Sequence, residues 1–556
     1  MKYIIGISAF YHDSSACLFK DGRLIFACEE EKFSGIKHDS SFPTKTLEYI
    51  FKIYNIKKED IEAVCYYEDP ILKMERVYKN ISNQFFKNPK YAIQSYFEIK
   101  KNTKRIKKLL SQISNNIFYS KHHLSHQYYS FYTSTFNQSI CLSLDGVGEY
   151  DTMSFGYADE SDIKYTSMAE YPHSIGLFYS AMTAFLGFQP NDGEYKVMGL
   201  AAYGDSSKYI NKLRELIEYK NSKLTCNMNY FIWNKSKESM FNEKLCDFLG
   251  LELRLPNEPI LQKHKDLAAA IQLRYEEVLK HILHTISNIS YTDNICLSGG
   301  CAYNGLANVK IIKESFYNQL WIPVAPSDAG SSIGACVHYL VKNKKLKERV
   351  TKNPFLGPQY FYNDVYTAIK DKKIYKFLSE ERMLKYVAKN LNDGKIIGWF
   401  QGHAEFGQRA LGNRSILANP FVDGIKNKIN ETVKNREMFR PLAPMVKSNV
   451  QSEYFEIDMD IPYMNQIVKV KESYVDLLKE VSNVDGTARV QTVHKHTLVY
   501  HLLNEFEKLS GHPILLNTSF NIKGNPIVLT PKDAVATFFK TDIDLLIIGN
   551  YVIYKD

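Results

Sequence analysis

Short apolar runs punctuated by Asp, Gly and Ser recur along this chain. Within Tyr3–Ala27 an apolar segment, a polar loop, a second apolar segment, the Asp21-Gly22 pair and a third apolar segment follow one another. That order predicts strand, loop, strand, tight turn, strand. The frame returns later: Ile140–Leu144 predicts a buried strand, Asp145 opens a loop holding Gly146 and Gly148, and Met153–Ala158 predicts the return strand. Residues 45–118 are poor in Gly and Pro and read as mostly helical, and Leu545–Ile553 reads as core strands.

A duplicated frame of this kind points to an α/β protein with a two-lobed actin-like (ASKHA) domain, its paired hairpins facing each other across a nucleotide cleft. The pattern breaks at Asn353-Pro-Phe-Leu-Gly-Pro358, which sets a boundary between residues 1–352 and 353–556.

Between the two hairpin frames, Lys121–Tyr132 contains no Gly or Pro and predicts a helix with Ser120 as N-cap. Its His122 and His126 are four apart and share a face, whereas His123 points elsewhere. An HxxxH pair alone is commonly decoration. Here Asp145 stands at a strand end beside glycines, and Asp328 occupies a similar Gly/Ser loop leading into an apolar helix. Two imidazoles and two carboxylates make a hard nitrogen/oxygen site suited to Fe(II), Mn or Zn.

In the first loop, His12 beside Asp13 has the chemistry of a general base for an alcohol. Ser298-Gly299-Gly300 through Asn304 joins a buried strand to a helix start, offering backbone N–H groups to a phosphate or nucleotide. It lacks the Lys-Ser/Thr of a Walker loop. Glu194 and Lys196 are two apart, so an extended segment would face both to one side. Beyond the boundary, Arg409, Arg414, Lys434, Arg436, Arg440 and Arg489 lie in glycine- or proline-rich loops, a pattern suited to small phosphorylated ligands. Asn517 and Ser519 end an apolar strand in amide and hydroxyl groups.

At 556 residues, 45% hydrophobic and 24% charged, the chain has room for two or three domains. Nine cysteines without a CxxC pair argue against a disulfide framework or a zinc finger. No stretch is apolar enough to span a bilayer and Met1–Ser8 reads as a strand, so a cytoplasmic protein without a membrane partner is expected. The net charge of +9 is mild, and the basic run Lys100–Lys108 reads as a solvated face, which leaves nucleic acid disfavoured.

Ten blocks carry a resemblance that runs nearly end to end: GISAFYHDSSACLFKDG, KHHLSH, LDGVGE, GEYKVMGLAAYG, LSGGCAYN, PSDAGSSIGA, FGQRALGNRSILA, NREMFRPLAP, DGTARVQTV and LLNTSFNIKGNPIV. The chain resembles the NodU/CmcH family of O-carbamoyltransferases. The resemblance implies a TsaD-like actin-fold domain followed by an α+β YrdC-like domain. The second would turn carbamoyl phosphate and ATP (with Mg) into a carbamoyl adenylate. The first would move the carbamoyl group to a hydroxyl of a sugar, polysaccharide precursor or natural product.

By position, the resemblance implies His122, His126, Asp145 and Asp328 as metal ligands, with Fe(II) the expected ion, and the Ser298–Asn304 segment as nucleotide loop. His12, with Asp13, falls nearest the transferring group. The arginines, Lys434, Asn517 and Ser519 fall in the activation blocks, and Lys37, Glu194 and Lys196 in acceptor-side loops. Alternatives are a threonylcarbamoyl-type tRNA modification enzyme and an adenylate-binding sensor without turnover.

Overall fold

The computed structural model describes residues 2–84 and 88–555. It is a mixed α/β protein that divides into two compact units: the chain up to Glu30 with Ser40–Lys352, and Glu31–Asp39 with the chain from Asn353 onward.

Two five-stranded sheets of one topology build the first unit. In one, β1 (Tyr3–Ser8), β2 (Ser15–Lys20) and β3 (Arg23–Glu29) form an antiparallel meander, and β4 (Ile61–Tyr66) and β5 (Ile117–Tyr119) add in parallel beyond β1. In the other, β6 (Ser139–Leu144), β7 (Asp151–Ala158) and β8 (Ile163–Glu170) repeat the meander. A separate hairpin, β9 (Ile217–Lys220) with β10 (Lys223–Cys226), follows, and β11 (Asn294–Ser298) and β12 (Gln319–Trp321) then add in parallel beyond β6. The orders 3-2-1-4-5 and 8-7-6-11-12 therefore match strand for strand. Both lead strands, β1 and β6, are buried at every position, as strands covered on two faces must be.

Each repeat sends its closing helix to the other repeat's sheet. His122–Thr133 follows β5 but packs on β6 and β11, while Asp328–Lys342 follows β12 but packs on β1, β2 and β4. The two helices also pack on each other, backbone to backbone. A Cβ at Gly334 would lie 1.8 Å from the Ser125 carbonyl oxygen, so only glycine permits that approach.

The stretch 45–118 holds the helices Thr44–Tyr54, Pro70–Gln84 and Pro89–Ile113, but β4 interrupts the expected helical run. Buried at five of six positions, Ile61–Tyr66 shows no alternation that would mark it as a strand. The helix at 122 also starts differently from expectation. Its N-cap is Lys121, with no side-chain cap, and the distant Glu149 carboxylate accepts the His122 N–H at 2.9 Å.

In the second unit, β13 (Ile374–Lys376), β14 (Ile397–Phe400), β15 (Arg414–Ala418) and β16 (Ala443–Lys447) share one sheet with β19 (Gln491–Val493), β20 (Ile514–Ser519), β21 (Leu545–Ile548) and β22 (Tyr551–Ile553). The order is 13-22-21-14-15-20-16-19, and β17 (Ile467–Lys469) pairs with β18 (Thr487–Arg489) beside it. The helix Glu380–Asn392 turns Met383, Leu384, Val387, Ala388 and Leu391 to one stripe, which joins Val499, Leu502, Leu503 and Phe506 of Leu498–Ser510 over Trp399 and Leu515. Lys32, from the short N-terminal segment of this unit, donates to the carbonyls of Glu405 and Gly407.

Candidate functional site

The helix swap brings four side chains of the first unit together. His122 and His126 come from the first turns of one crossing helix, Asp328 opens the other, and Asp145 stands just past the end of β6. All four are buried, and one donor atom from each lies within 4.8 Å of the others. The Nε2 atoms of the two imidazoles are 3.1 Å apart, and Asp145 Oδ2 is 2.8 Å from His122 Nε2 and 3.4 Å from His126 Nε2. Asp328 Oδ1 lies 3.4 Å from His122 Nε2 and 3.5 Å from His126 Nε2. Donors bonded to one cation at about 2.1 Å are themselves about 3.0 to 3.5 Å apart.

A second observation bears on the fit. Both carboxylate oxygens of Asp328 are buried without a hydrogen-bond partner among the described residues. A buried carboxylate that makes no hydrogen bond is costly, and a cation between the four groups relieves that cost. The quartet therefore fits a divalent ion with nitrogen and oxygen ligands.

The surroundings aim these groups. Ser331 Oγ sits 2.9 Å from His126 Nδ1, which leaves His126 Nε2 for the centre. His123 turns away to Ser154 Oγ at 2.8 Å, as its position on the helix requires. Gly299, at φ 89°, presses against the end of β6, where a Cβ would meet the Leu144 carbonyl oxygen at 2.1 Å. That contact lets the Gly300 N–H donate to Asp145 Oδ1 at 3.2 Å. Burial lifts the Asp145 carboxyl, yet the hydrogen bonds and charges of His122 and His126 outweigh it and hold Asp145 well below the usual carboxylate range. Burial lowers His122, but Asp328 and Asp145 together raise it to about 9.

His12 belongs to the same neighbourhood. Its Nδ1 lies 3.0 Å from Asp13 Oδ2. Burial works against its protonated form, while the Asp328 charge, the Asp13 hydrogen bond and Asp145 raise it to about 9. Tyr11, Glu149 and Ser331 escaped sequence reasoning. The Tyr11 ring lies 4.7 Å from that of His12, and burial followed by the Asp145 and Asp328 charges pushes its hydroxyl pKa up. A tyrosine in an aromatic pair and a serine one turn after an aspartate give no spacing signal of their own.

Several expected contacts take another form. Asn304 caps the Gly305–Glu314 helix, its Oδ1 accepting from Ala307 N at 3.2 Å, and its amide pairs with Gln272. Glu194 and Lys196 are not in an extended segment. They lie in the helix Glu194–Leu200, where residues two apart diverge, because the turn ending at Gly193 starts a helix. Glu194 instead accepts from Ser180 Oγ at 2.7 Å and Asn191 N at 2.9 Å, and Lys196 lies over the Phe188 ring. Lys37 groups with the second unit.

In the second unit, Lys434 is buried and donates to Ser519 Oγ at 3.1 Å and Asn521 Oδ1 at 2.6 Å. Arg436, tied to Asn430 Oδ1 at 2.7 Å, and Arg440 are close enough for their charges to act on it. Arg409 and Arg489 are half-buried. Asn517 donates to Ala410 O at 3.0 Å and Gln491 Oε1 at 2.7 Å. Arg414 departs from the phosphate-binding expectation. It is 0% exposed, donates to the carbonyls of Gln401, Asn413 and Gly402, and lies 3.6 Å over the Phe400 ring, so it braces the β14–β15 corner.

Comparison with known proteins now adds the family. The carbamoyltransferase N-terminus model matches residues 3–337 and the carbamoyltransferase C-terminus model residues 388–555. The uncharacterized protein sll1178 of Synechocystis sp. is 35% identical over 100% of this chain and 97% of its own length. Nodulation protein NolNO of Sinorhizobium fredii is 34% identical over 99% of this chain and 80% of its own. Among solved structures, full-length HypF in the phosphate- and nucleotide-bound form aligns with 63% of this chain and 56% of its own at 13% identity and a TM-score of 0.34, too slight to carry an argument. Two family models spanning most of the chain and relatives matched along nearly all of it make the protein a carbamoyltransferase, a member of the family that includes the nodulation proteins.

Proposed function

We propose that the protein is an ATP-dependent O-carbamoyltransferase working through a carbamoyl adenylate. The observation that carries this reading is the buried quartet His122, His126, Asp145 and Asp328, gathered from both repeats of the first unit next to His12 and the Gly299-Gly300 loop. The matched sheets of that unit support an actin-like fold of the TsaD type, and the second unit is read as the YrdC-like activation domain.

In this reading the second unit first lets one water cleave carbamoyl phosphate to carbamate and phosphate. A carbamate oxygen then bonds to the α-phosphorus of ATP (with Mg), the bond to the β-phosphate oxygen breaks, and pyrophosphate leaves carbamoyl adenylate behind. Arg409, Lys434, Arg436, Arg440, Arg489 and Ser519 supply the cationic and hydroxyl contacts, and Arg414 and Asn517 hold their framework. In the first unit the Gly299-Gly300 loop, which carries no Cβ, lets the adenylate approach the backbone beside Asp145. The acceptor oxygen bonds to the carbamoyl carbon, the bond to the phosphate oxygen breaks, and AMP leaves. His12, steadied by Asp13, takes the acceptor's proton.

A bound Fe(II), with Mn or Zn as alternatives, would supply Lewis acidity beside the leaving phosphate, held by His122, His126, Asp145 and Asp328. Asp328 raises His12 most, followed by the hydrogen bond and charge of Asp13 and then by Asp145, and a cation between Asp328 and Asp145 would offset the share those two contribute. His12 is thus suited to act as base once the quartet is loaded.

Incubation of the purified protein with carbamoyl phosphate and ATP tests the activation step by pyrophosphate release. A candidate acceptor that gains one carbamoyl unit by mass spectrometry tests the transfer. Pyrophosphate release that does not depend on carbamoyl phosphate would sink the adenylate reading.

A further inference from the structure

The helix Pro89–Ile113 packs on its own unit through Ala92, Ser95, Ile106, Leu110 and Ile113, all buried. At about 100° per residue these positions fall within one arc of the helix. Diametrically opposite runs a single line of side chains, Ile93, Phe97, Lys101, Lys104 and Lys108, at spacings of four, four, three and four residues. All five are exposed, Ile93 by 50% and Phe97 by 66%, and exposed Lys90 and Lys100 flank them.

The charge on this helix is one-sided. It carries seven basic residues and one acid, Glu98, which pairs with Lys237. Lysines scattered among acids would read as a solvated face. Lysines in register with two outward-facing large apolar side chains make a mixed surface that neither water nor a free polyanion satisfies. A nucleic-acid backbone would engage the lysines but leave Ile93 and Phe97 wet, whereas an anionic lipid surface takes both kinds of side chain at once. The line from Ile93 to Lys108 is straight and about 22 Å long, a shape for a plane rather than for a groove.

We propose that this helix face docks the protein peripherally on an anionic lipid surface. Ile93 and Phe97 enter the headgroup boundary, and Lys101, Lys104 and Lys108 lie against the lipid phosphates. The contact is interfacial, for no helix among the described residues is long and apolar enough to cross a membrane. It holds whichever hydroxyl the enzyme carbamoylates.

The full chain is floated with vesicles of phosphatidylcholine alone and of phosphatidylcholine with phosphatidylglycerol in equal parts. Binding is expected only to the second and weakens as salt is added. Each basic side chain at such a surface multiplies partitioning about fivefold, so Lys101→Glu, Lys104→Glu and Lys108→Glu together lower it about a hundredfold or more. Ile93→Ser with Phe97→Ser lowers it about tenfold or more. These positions face outward, so both variants keep the parent melting temperature. The proposal is overturned if neither vesicle is bound, if both are bound equally, or if the charge-reversed chain binds as the parent does. Binding untouched by the serine pair and fully competed by RNA likewise overturns it, in favour of a polyanion contact.

Discussion

Gly334 meets Ser125 where the two crossing helices touch, with room for a hydrogen and no more: a Cβ on Gly334 would stand 1.8 Å from the Ser125 carbonyl oxygen. Because His126 follows Ser125 directly and Asp328 opens the helix that carries Gly334, this contact sets the distance between imidazole and carboxylate. Gly334→Ala is expected to push the helices apart, destabilising the first unit by about 1 to 3 kcal/mol. It should also lower bound-metal stoichiometry, measured by elemental analysis of the purified protein. A variant with parental melting temperature and metal content would show that the helices do not fix the quartet.

Ser331 acts at one remove from the same centre, through its 2.9 Å contact with His126 Nδ1. Removing that partner frees the ring to rotate and change tautomer. Ser331→Ala is expected to weaken metal affinity about 10- to 100-fold, read by competition with a chelator, while the circular dichroism spectrum stays that of the parent. An unchanged affinity would mean that the helix backbone alone orients His126.

Much of this centre was legible in the sequence. His122 and His126 at helical spacing, with Asp145 and Asp328 in matching Gly loops, mark out by type the four side chains that the fold brings together. The duplicated hairpin frame likewise foreshadows the two sheets. What could not be read is which repeat each helix serves. A crossover leaves no trace in local pattern, so the Gly334–Ser125 contact, the Ser331 hydroxyl on His126 and the Glu149 carboxylate on the His122 N–H were invisible. Glu194 and Lys196 misled because a period of two and a single helical turn look alike over three residues. Arg414 misled because a guanidinium among glycines serves carbonyls as readily as phosphates.

His338 gives the first unit a dependence on acid. It stacks on Tyr128 at 4.4 Å between ring centres, contacts Ser120 Oγ at 2.8 Å, and is lowered by burial, with Lys342 adding to the effect, to about 4. In the unfolded chain it returns to the ordinary histidine value near 6.5, so the unfolded state takes up the proton first as pH falls. The stability this neutral ring contributes is complete above pH ~6.5 and is lost between ~6.5 and ~4, worth about 3 kcal/mol over that window. His338→Gln is expected to flatten the parent's fall in denaturation midpoint across that range. Parallel curves for parent and variant would show that His338 is not the group responsible.

Arg414 and Arg440 come from neighbouring arginine-bearing blocks but answer to different forces, and substitution separates them. The Arg414 guanidinium donates to the carbonyls of Gln401, Asn413 and Gly402 in a site with 0% exposure; the Asn413 oxygen also accepts from the Gln401 N–H, so Arg414→Met leaves the Gln401 and Gly402 oxygens unpaired. Each orphaned acceptor costs about 1 to 3 kcal/mol, so the second unit should melt far earlier, whatever ligand is present. Arg440 is partly exposed and pairs with Glu437 at 3.5 Å, so Arg440→Ala should leave the melting temperature within about 1 °C of the parent. If Arg440 binds a substrate phosphate as proposed, the same variant should raise KM for carbamoyl phosphate or ATP in the pyrophosphate assay about 10-fold or more. A thermally intact Arg414→Met protein with only a raised KM would reverse the two assignments.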